Sequence, residues 1–177
     1  MSSNRIEKLS RYHEVAGFRC GQELLDRFLT QHALQSQFAN ASQTYVGIID
    51  GAIAGYYTLV VGETQFDGAP RRLAKGMAHH PIPLMILARL AVDTKFQGRG
   101  IGEGLMKDAM RRTAAAAEIA GIRALAVHAK NSEARRYYER FGFESSPIEP
   151  LHLYMLMKDV RRSIQESLAP PRTGSEE

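Results

Sequence analysis

The segment FQGRGIGEGL, residues 96–105, decides how this sequence is interpreted. It has glycine at positions 98, 100, 102 and 104, after the apolar run 84–92 and before a predicted helix. Glycine in the first turn of a helix costs stability, so these positions need another explanation. Free backbone N–H groups and the helix dipole attract an anion there, and glycine leaves room for it. The segment predicts an anion-binding loop, and the alternative is a tight turn that binds nothing.

Two nucleotide-binding patterns do not fit this loop. The Walker pattern requires a Gly-Lys-Ser/Thr step, which the segment does not contain. The dinucleotide pattern G-x-G-x-x-G begins at Gly98 and Gly100, but Glu103 stands where its last glycine is required. The pattern that remains is Q-x-x-G-x-G, formed by Gln97, Gly100 and Gly102, and it suits an anion of pyrophosphate size.

The rest of the chain alternates predicted strands and helices, which is typical of an α/β protein. The strands are predicted at 43–49, 52–61, 85–92, 122–129 and 151–158, and the helices at 21–40, 101–118, 132–141 and 160–168. Residues 62–83 read as an irregular loop because they are rich in glycine and proline. We expect a single domain over 1–168 and a flexible tail over 169–177.

Composition limits the class of protein. The 177 residues include one cysteine and carry a net charge of +4. No apolar run approaches the roughly 20 residues of a membrane span, and no Cys/His cluster has zinc spacing. A cytoplasmic protein without a metal site is therefore expected, and its mild positive charge suits a polyanionic partner.

The segments 87–106 and 124–143 together resemble the Gcn5-related N-acetyltransferases (GNAT). The resemblance implies an α+β fold with a central mixed sheet flanked by helices, and acetyl-CoA as cofactor. In that family the Q-x-x-G-x-G loop binds the pyrophosphate, and the preceding strand pairs with the pantetheine arm. The cofactor-binding residues implied here are Leu90, Ala91, Val92, Gln97, Gly98, Arg99, Gly100, Ile101, Gly102 and Asn131. Asn131 equally suits the N-cap of the next helix.

Tyr138 is the predicted catalytic residue. Acetyl transfer expels a thiolate, and a tyrosine hydroxyl can donate a hydrogen bond or a proton to it. Tyr137 and Tyr138 point about 100° apart on one helix, so at most one is expected to face the thioester. The resemblance selects Tyr138, and the alternative is a core aromatic residue with a satisfied hydroxyl.

The N-terminal third is similar to one branch of the family, the tRNA-acetylating toxins of toxin–antitoxin pairs. Its elements within residues 18–46 are F-x-C-G, L-[DN]-x-F-L, H-A and Y-V, and the similarity continues to about Lys158. The sequence departs from the branch at Asp26, where Asn is more usual, and at Ala88, where Gly is usual. The resemblance implies acetylation of the α-amino group of aminoacyl-tRNA, a ribbon-helix-helix antitoxin and a homodimer. The alternatives are an acetyltransferase for a small-molecule or protein amine, and a non-catalytic binding module.

Candidate substrate residues are cationic because tRNA is a polyanion. They are Arg71, Arg72 and Lys75 in the 62–83 loop, which we expect to line the aminoacyl pocket, and Arg89. Arg89 interrupts an apolar strand, so it must be paired or face a cavity. No compelling general base is evident, with Glu63 and Asp93 the nearest candidates. An α-amine needs less help than a lysine because its pKa is lower.

Overall fold

The computed structural model describes residues 4–168, which form a seven-stranded sheet in the order β1-β2-β3-β4-β5-β7-β6. The strands are β1 (Arg5–Lys8), β2 (Gln43–Ile49), β3 (Ala52–Thr64), β4 (Ile82–Val92), β5 (Ala124–His128), β6 (Glu144–Ser145) and β7 (His152–Leu156). The helices are α1 (Glu23–Arg27), α2 (Ala33–Phe38), α3 (Arg71–Ala74), α4 (Ile101–Ala117), α5 (Ser132–Glu139) and α6 (Met157–Leu168). The tail predicted at 169–177 lies outside the described residues.

The sheet is mixed, as predicted. β4 and β5 are parallel, and the other neighbouring strands are antiparallel. The parallel pair needs a crossover, and α4 provides it. The α/β alternation inferred from the sequence therefore gives a mixed sheet covered by helices on both faces.

β4 and β5 separate partway along their length. They pair from Leu84 with Ala124 to Leu87 with Val127, whereas β4 continues to Val92. Ala88 is the extra residue of a bulge against β3, since Leu87 and Arg89 pair with consecutive residues there. A bulge bends its strand, and residues 88–92 of β4 have no strand partner on the β5 side, where the Val92 carbonyl accepts from Gln97. This separation opens a cleft in the sheet.

The two faces of the sheet have different cores. On one face, Leu87 and Val127 pack with Leu105 and Met106 of α4. On the opposite face, Tyr56 and Ala91 pack with the N-terminal segment and the α1–α2 region. The cleft between β4 and β5 therefore has α4 on one side and α1 on the other.

The structure differs from the sequence-based boundaries in three places. A π-helical segment, Phe28–His32, interrupts the helix predicted over 21–40. Part of the loop predicted over 62–83 is ordered as the end of β3, as α3 and as the start of β4. The short strands β1 and β6 were not predicted, because two to four residues carry too little periodicity. Within residues 4–168, none of the helices has the length and apolar character needed to cross a membrane.

Candidate active site

The glycine segment forms a loop that leads from β4 into α4. Gly98 and Gly100 have φ values of 78° and 77°, a left-handed conformation that favours glycine. Gly100 is the N-cap of α4, and the N–H of Gly104 donates the first bond back to the Gly100 carbonyl at 3.1 Å. The N–H groups of residues 101–103 therefore have no acceptor within the helix. They form a site for an anion at the positive end of α4.

The Gln97 side chain holds this loop in place. Its Nε2 donates to the carbonyls of Cys20 at 3.1 Å and of Val92 at 3.0 Å. Because both amide protons are used on backbone, the side chain anchors the loop to β4 and to the N-terminal segment. Any contribution of Gln97 to cofactor binding then comes from its backbone and from the position that it gives the loop.

A cavity of about 550 Å³ fills the cleft between β4 and β5. Its walls include six of the predicted cofactor and catalytic residues, namely Leu90, Ala91, Val92, Gly102, Asn131 and Tyr138. Gln22 and Leu25 line it from the α1 side, so the cavity passes through the plane of the sheet. The loop residues Gln97, Gly98, Arg99, Gly100 and Ile101 precede Gly102 and are not part of this lining.

This arrangement fits a long, thin cofactor with a charged pyrophosphate. The free N–H groups at the start of α4 suit the pyrophosphate, and Gly102 joins that loop to the cavity. The unpaired edge of residues 88–92 offers backbone donors and acceptors to an extended amide chain. The residues present are therefore suited to hold acetyl-CoA.

Tyr138 lies partly buried in the wall of the cavity. Its ring packs edge-on against Phe143 at 5.9 Å and against Tyr137 at 5.4 Å. Burial, followed by the nearby Tyr137, raises the pKa of Tyr138 to about 12. Within residues 4–168 no hydrogen bond of its hydroxyl is found. The hydroxyl is therefore protonated at neutral pH and able to donate.

Tyr137 also lines the cavity, which the sequence did not lead us to expect. Its hydroxyl lies so close to Gly102 that an added Cβ there would stand 3.2 Å from the oxygen. Burial, followed by the charge of Glu103, raises the pKa of Tyr137. Both tyrosines therefore line the cavity, and the expectation that at most one of them faces the thioester stays a prediction. Tyr137 lies at the loop end of the cavity.

Asn131 is the N-cap of α5. Its Oδ1 accepts a hydrogen bond from the N–H of Ala134 at 2.9 Å. The capping alternative is therefore present in the structure, and Asn131 lines the cavity as well. The cap uses the side-chain oxygen alone, so the side-chain NH₂ remains able to donate a hydrogen bond to the cofactor.

Among the predicted substrate residues, Arg89 lines the cavity and the three others do not. The Arg89 guanidinium stacks over the Phe28 ring at 3.6 Å, which accounts for a cation in an apolar strand. Arg71 and Arg72 belong to α3 and Lys75 follows it, and Arg72 pairs with Asp159 at 3.0 Å. Residues 62–83 were expected to line the acceptor pocket, but they do not contribute to the walls of this cavity, so their contact with the acceptor stays a prediction.

The physical reason is the position of α3. Arg123, at the start of β5, donates to the carbonyls of Leu73 and Lys75, which ties α3 to the end of β5 opposite the cleft. The cleft begins at Ala88, about five residues along β4 from Pro83, whose carbonyl bonds the Arg123 N–H. At about 3.3 Å per residue, Pro83 is roughly 17 Å along β4 from the start of the cleft, and α3 is held near this end of the strand.

Neither candidate base is in the cavity. Asp93 is buried and accepts hydrogen bonds from the N–H groups of Arg19 and Lys95, so it supports the loop. Glu63 is exposed and pairs with Pro83 far along β3. The cavity instead contains His128, the last residue of β5, which sequence reasoning missed. The sequence could have indicated His128, because it is a polar residue at the end of a buried strand and lies three residues before Asn131.

The His128 ring stacks on that of His152 from β7, with centroids 3.9 Å apart and an interplanar angle of 12°. The Nδ1 of His152 lies 2.9 Å from Glu149 Oε2. Burial, followed by the neighbouring His152, lowers the pKa of His128 below its ordinary value. His128 is therefore mainly neutral at pH 7.

Comparison with known proteins agrees with this geometry. The model of the acetyltransferase (GNAT) domain matches residues 40–145. The chain belongs to the GNAT acetyltransferase family. The fold, the acetyltransferase activity and the use of acetyl-CoA predicted from the sequence are those of GNAT enzymes and are confirmed.

The relatives lie in the toxin branch of the GNAT proteins. The chain is 42% identical to a tRNA-acetylating toxin of Mycobacterium tuberculosis, over 89% of this chain and 94% of the relative. It is similar to the structure of AtaT complexed with acetyl-methionyl-tRNAfMet, with a TM-score of 0.84, 28% identity and coverage of 90% and 98% of the two chains. An AtaT mutant bound to the antitoxin AtaR and acetyl-CoA matches with a TM-score of 0.77, 27% identity and coverage of 92% and 99%.

Proposed function

We propose that this protein transfers the acetyl group of acetyl-CoA to the α-amino group of an aminoacyl-tRNA, and that it acts as a toxin by blocking translation. The observation that carries the substrate is the 42% identity to a tRNA-acetylating toxin across 89% of the chain. The structural similarity to AtaT in complex with acetyl-methionyl-tRNAfMet is a second, separate support for this substrate.

The cofactor-side residues have distinct roles in this proposal. The N–H groups of residues 101–103 bind the pyrophosphate, while residues 88–92 of β4 pair with the extended arm through their free edge. Acetyl-CoA supplies an acetyl group that is activated as a thioester. Tyr138 donates from its hydroxyl to the sulfur as the thiolate leaves, because its raised pKa keeps the proton on oxygen.

The acceptor enters from the opposite side of the sheet. Tyr138 and Gly102 belong to the α4–α5 side of the cavity, whereas Arg89, Gln22 and Leu25 line it towards α1. An amine that enters past α1 reaches the cleft without crossing the cofactor loop. Arg89 presents a positive charge at this entrance, which suits the phosphate and ester oxygens of a tRNA terminus.

The cations of the 62–83 segment have a different role in tRNA binding. Arg71, Arg72 and Lys75 lie too far from the cleft to contact the aminoacyl group, so any contact with tRNA is with its backbone. Binding of a ribbon-helix-helix antitoxin, a homodimer and a cytoplasmic location complete the proposal. The complex of AtaT with AtaR supports the antitoxin in particular.

Acetyl transfer from radiolabelled acetyl-CoA to a pool of charged tRNA tests this function, with uncharged tRNA and the Tyr138→Phe variant as controls. We expect label on charged tRNA alone, and much less of it with Tyr138→Phe. If acetyl-CoA binds but charged tRNA stays unlabelled, the substrate assignment is wrong, and small amines and peptide N-termini become the acceptors to assay.

A further inference from the structure

We propose that His128 accepts the proton that the attacking amine loses during acetyl transfer. This inference rests on the proposed function, in that the amine is taken to be the α-amine of an aminoacyl ester. It adds a catalytic residue to which the sequence motifs assign no role.

His128 lies on the face of the sheet opposite α4. Its neighbour Val127 packs in the core beneath α4, and alternate residues of a strand point to opposite faces. His128 therefore projects to the face of Ala124 and Ala126, away from α4. Arg89, stacked on Phe28, opens onto the same α1 side.

A proton donor and a proton acceptor lie on opposite sides of the cleft. Tyr138 packs against the core on the α4 side and keeps its proton, so it is a donor and not a base. His128 lines the same cavity from the opposite face. A proton donor for the sulfur and a proton acceptor for the nitrogen thus stand on the two sides of the position where the thioester must lie.

The His128 ring is able to accept a proton. Across the described part of the chain, no hydrogen bond occupies either of its ring nitrogens. His152 stacks on one side of the ring and is itself fixed by Glu149. The other ionisable groups that line this cavity are Arg89, Lys130, Glu133, Tyr137, Tyr138 and Arg140. Partial desolvation and His152 lower the pKa of this exposed ring, so it is mainly neutral at pH 7, as a proton acceptor must be.

The proton balance of the reaction is complete with these two residues. The amine nitrogen forms a bond to the carbonyl carbon and passes one proton to the His128 ring. The bond from carbon to sulfur breaks, and the sulfur takes the proton of the Tyr138 hydroxyl. The His128 imidazolium then releases its proton to solvent, and Tyr138 recovers one from solvent, which leaves an amide and a thiol.

The test compares His128→Ala and His128→Gln with the wild type on charged tRNA. His79→Ala is the matched control, because His79 is an exposed histidine beside Asp67 and lies outside the cavity. We expect kcat to fall about 100-fold in both His128 variants, at the lower end for general-base catalysis because the amine is weakly basic. The Kd of acetyl-CoA and the melting temperature stay near those of the wild type.

Two further readouts separate catalysis from a structural role. Imidazole added to the assay should restore activity to His128→Ala, since the cavity left by the ring admits it. The wild-type rate should also fall as pH drops through the lowered pKa of His128, because only the neutral ring accepts a proton. In His128→Gln that dependence should disappear, leaving the titration of the amine.

The outcomes distinguish this inference from the proposed function. No acetylation of charged tRNA by the wild type would overturn the function, and the His128 variants are then compared on the amine that the wild type does acetylate. If the wild type is active and His128→Gln remains within threefold of it, His128 is not the proton acceptor. A loss in His128→Ala that imidazole leaves unchanged overturns the inference as well.

Discussion

Gly102→Ala is the sharpest test of the site geometry, because Gly104→Ala provides a control on the same helix. A Cβ on Gly102 would lie 3.2 Å from the Tyr137 hydroxyl and 3.6 Å from Val92 Cγ2. A Cβ on Gly104 would meet nothing within 4 Å. Both glycines lie in the first turns of α4, so their intrinsic preferences are similar.

The magnitudes follow from these contacts. Alanine in place of glycine within a helix stabilises it by about 0.5–1 kcal/mol, and Gly104→Ala gains this without opposition. Gly102→Ala must displace Tyr137, and overpacking of this kind costs about 1–3 kcal/mol. For a domain of this size the two variants should therefore melt about 5 °C apart, with Gly104→Ala the more stable.

Cofactor binding should separate the two variants further. Gly102 lines the cavity and Gly104 does not, so a methyl group at 102 intrudes where the cofactor passes. We expect the Kd of acetyl-CoA to rise at least about tenfold in Gly102→Ala, a loss of about 1.4 kcal/mol, and to stay unchanged in Gly104→Ala. Thermal denaturation and titration calorimetry measure both effects. Equal stability and equal affinity of the two variants would refute the close contact between Tyr137 and Gly102.

Tyr138→Phe should lower kcat about 100-fold in steady-state assays with little change in acetyl-CoA affinity, whereas Tyr137→Phe should chiefly weaken that affinity; the reverse pattern would exchange their roles. Gln97→Ala loses its bonds to the carbonyls of Cys20 and Val92, each worth about 0.5–1.5 kcal/mol, and should lower both the melting temperature and cofactor affinity. Burial raises the pKa of Cys20 to about 11, so its alkylation at pH 8 should be about a hundredfold slower than that of free cysteine, and a comparable rate would contradict this environment.

The loop and its helix could be predicted because their chemistry is local. The orphan N–H groups at the start of α4 arise from residues within one turn, and the glycines that give access to them are adjacent in sequence. The N-cap role of Asn131 is local for the same reason, since it depends on Ala134 three residues later. The order of the longer strands and helices followed from hydrophobic periodicity and turn residues, whereas β1, β6 and α3 were too short to be predicted.

The walls of the site could not be predicted in this way. The stack of Arg89 on Phe28 and the contact of Tyr137 with Gly102 join residues 61 and 35 positions apart, and no local pattern encodes either. The same limit explains why Arg71, Arg72 and Lys75 were expected at the acceptor. Their charge was evident in the sequence, whereas the bonds from Arg123 that hold α3 at the far end of β5 were not.

The sequence by itself determined where the glycine loop enters α4, since this depends on adjacent residues, and its motifs indicated the family by resemblance. Only the tertiary structure decided which groups share the cavity. β4 and β5 separate after Leu87 and Val127, and that separation places His128 opposite Tyr138 across one cavity. The physical reason is that strand pairing and its interruption are relations between distant segments, which are specified by packing across the whole sheet.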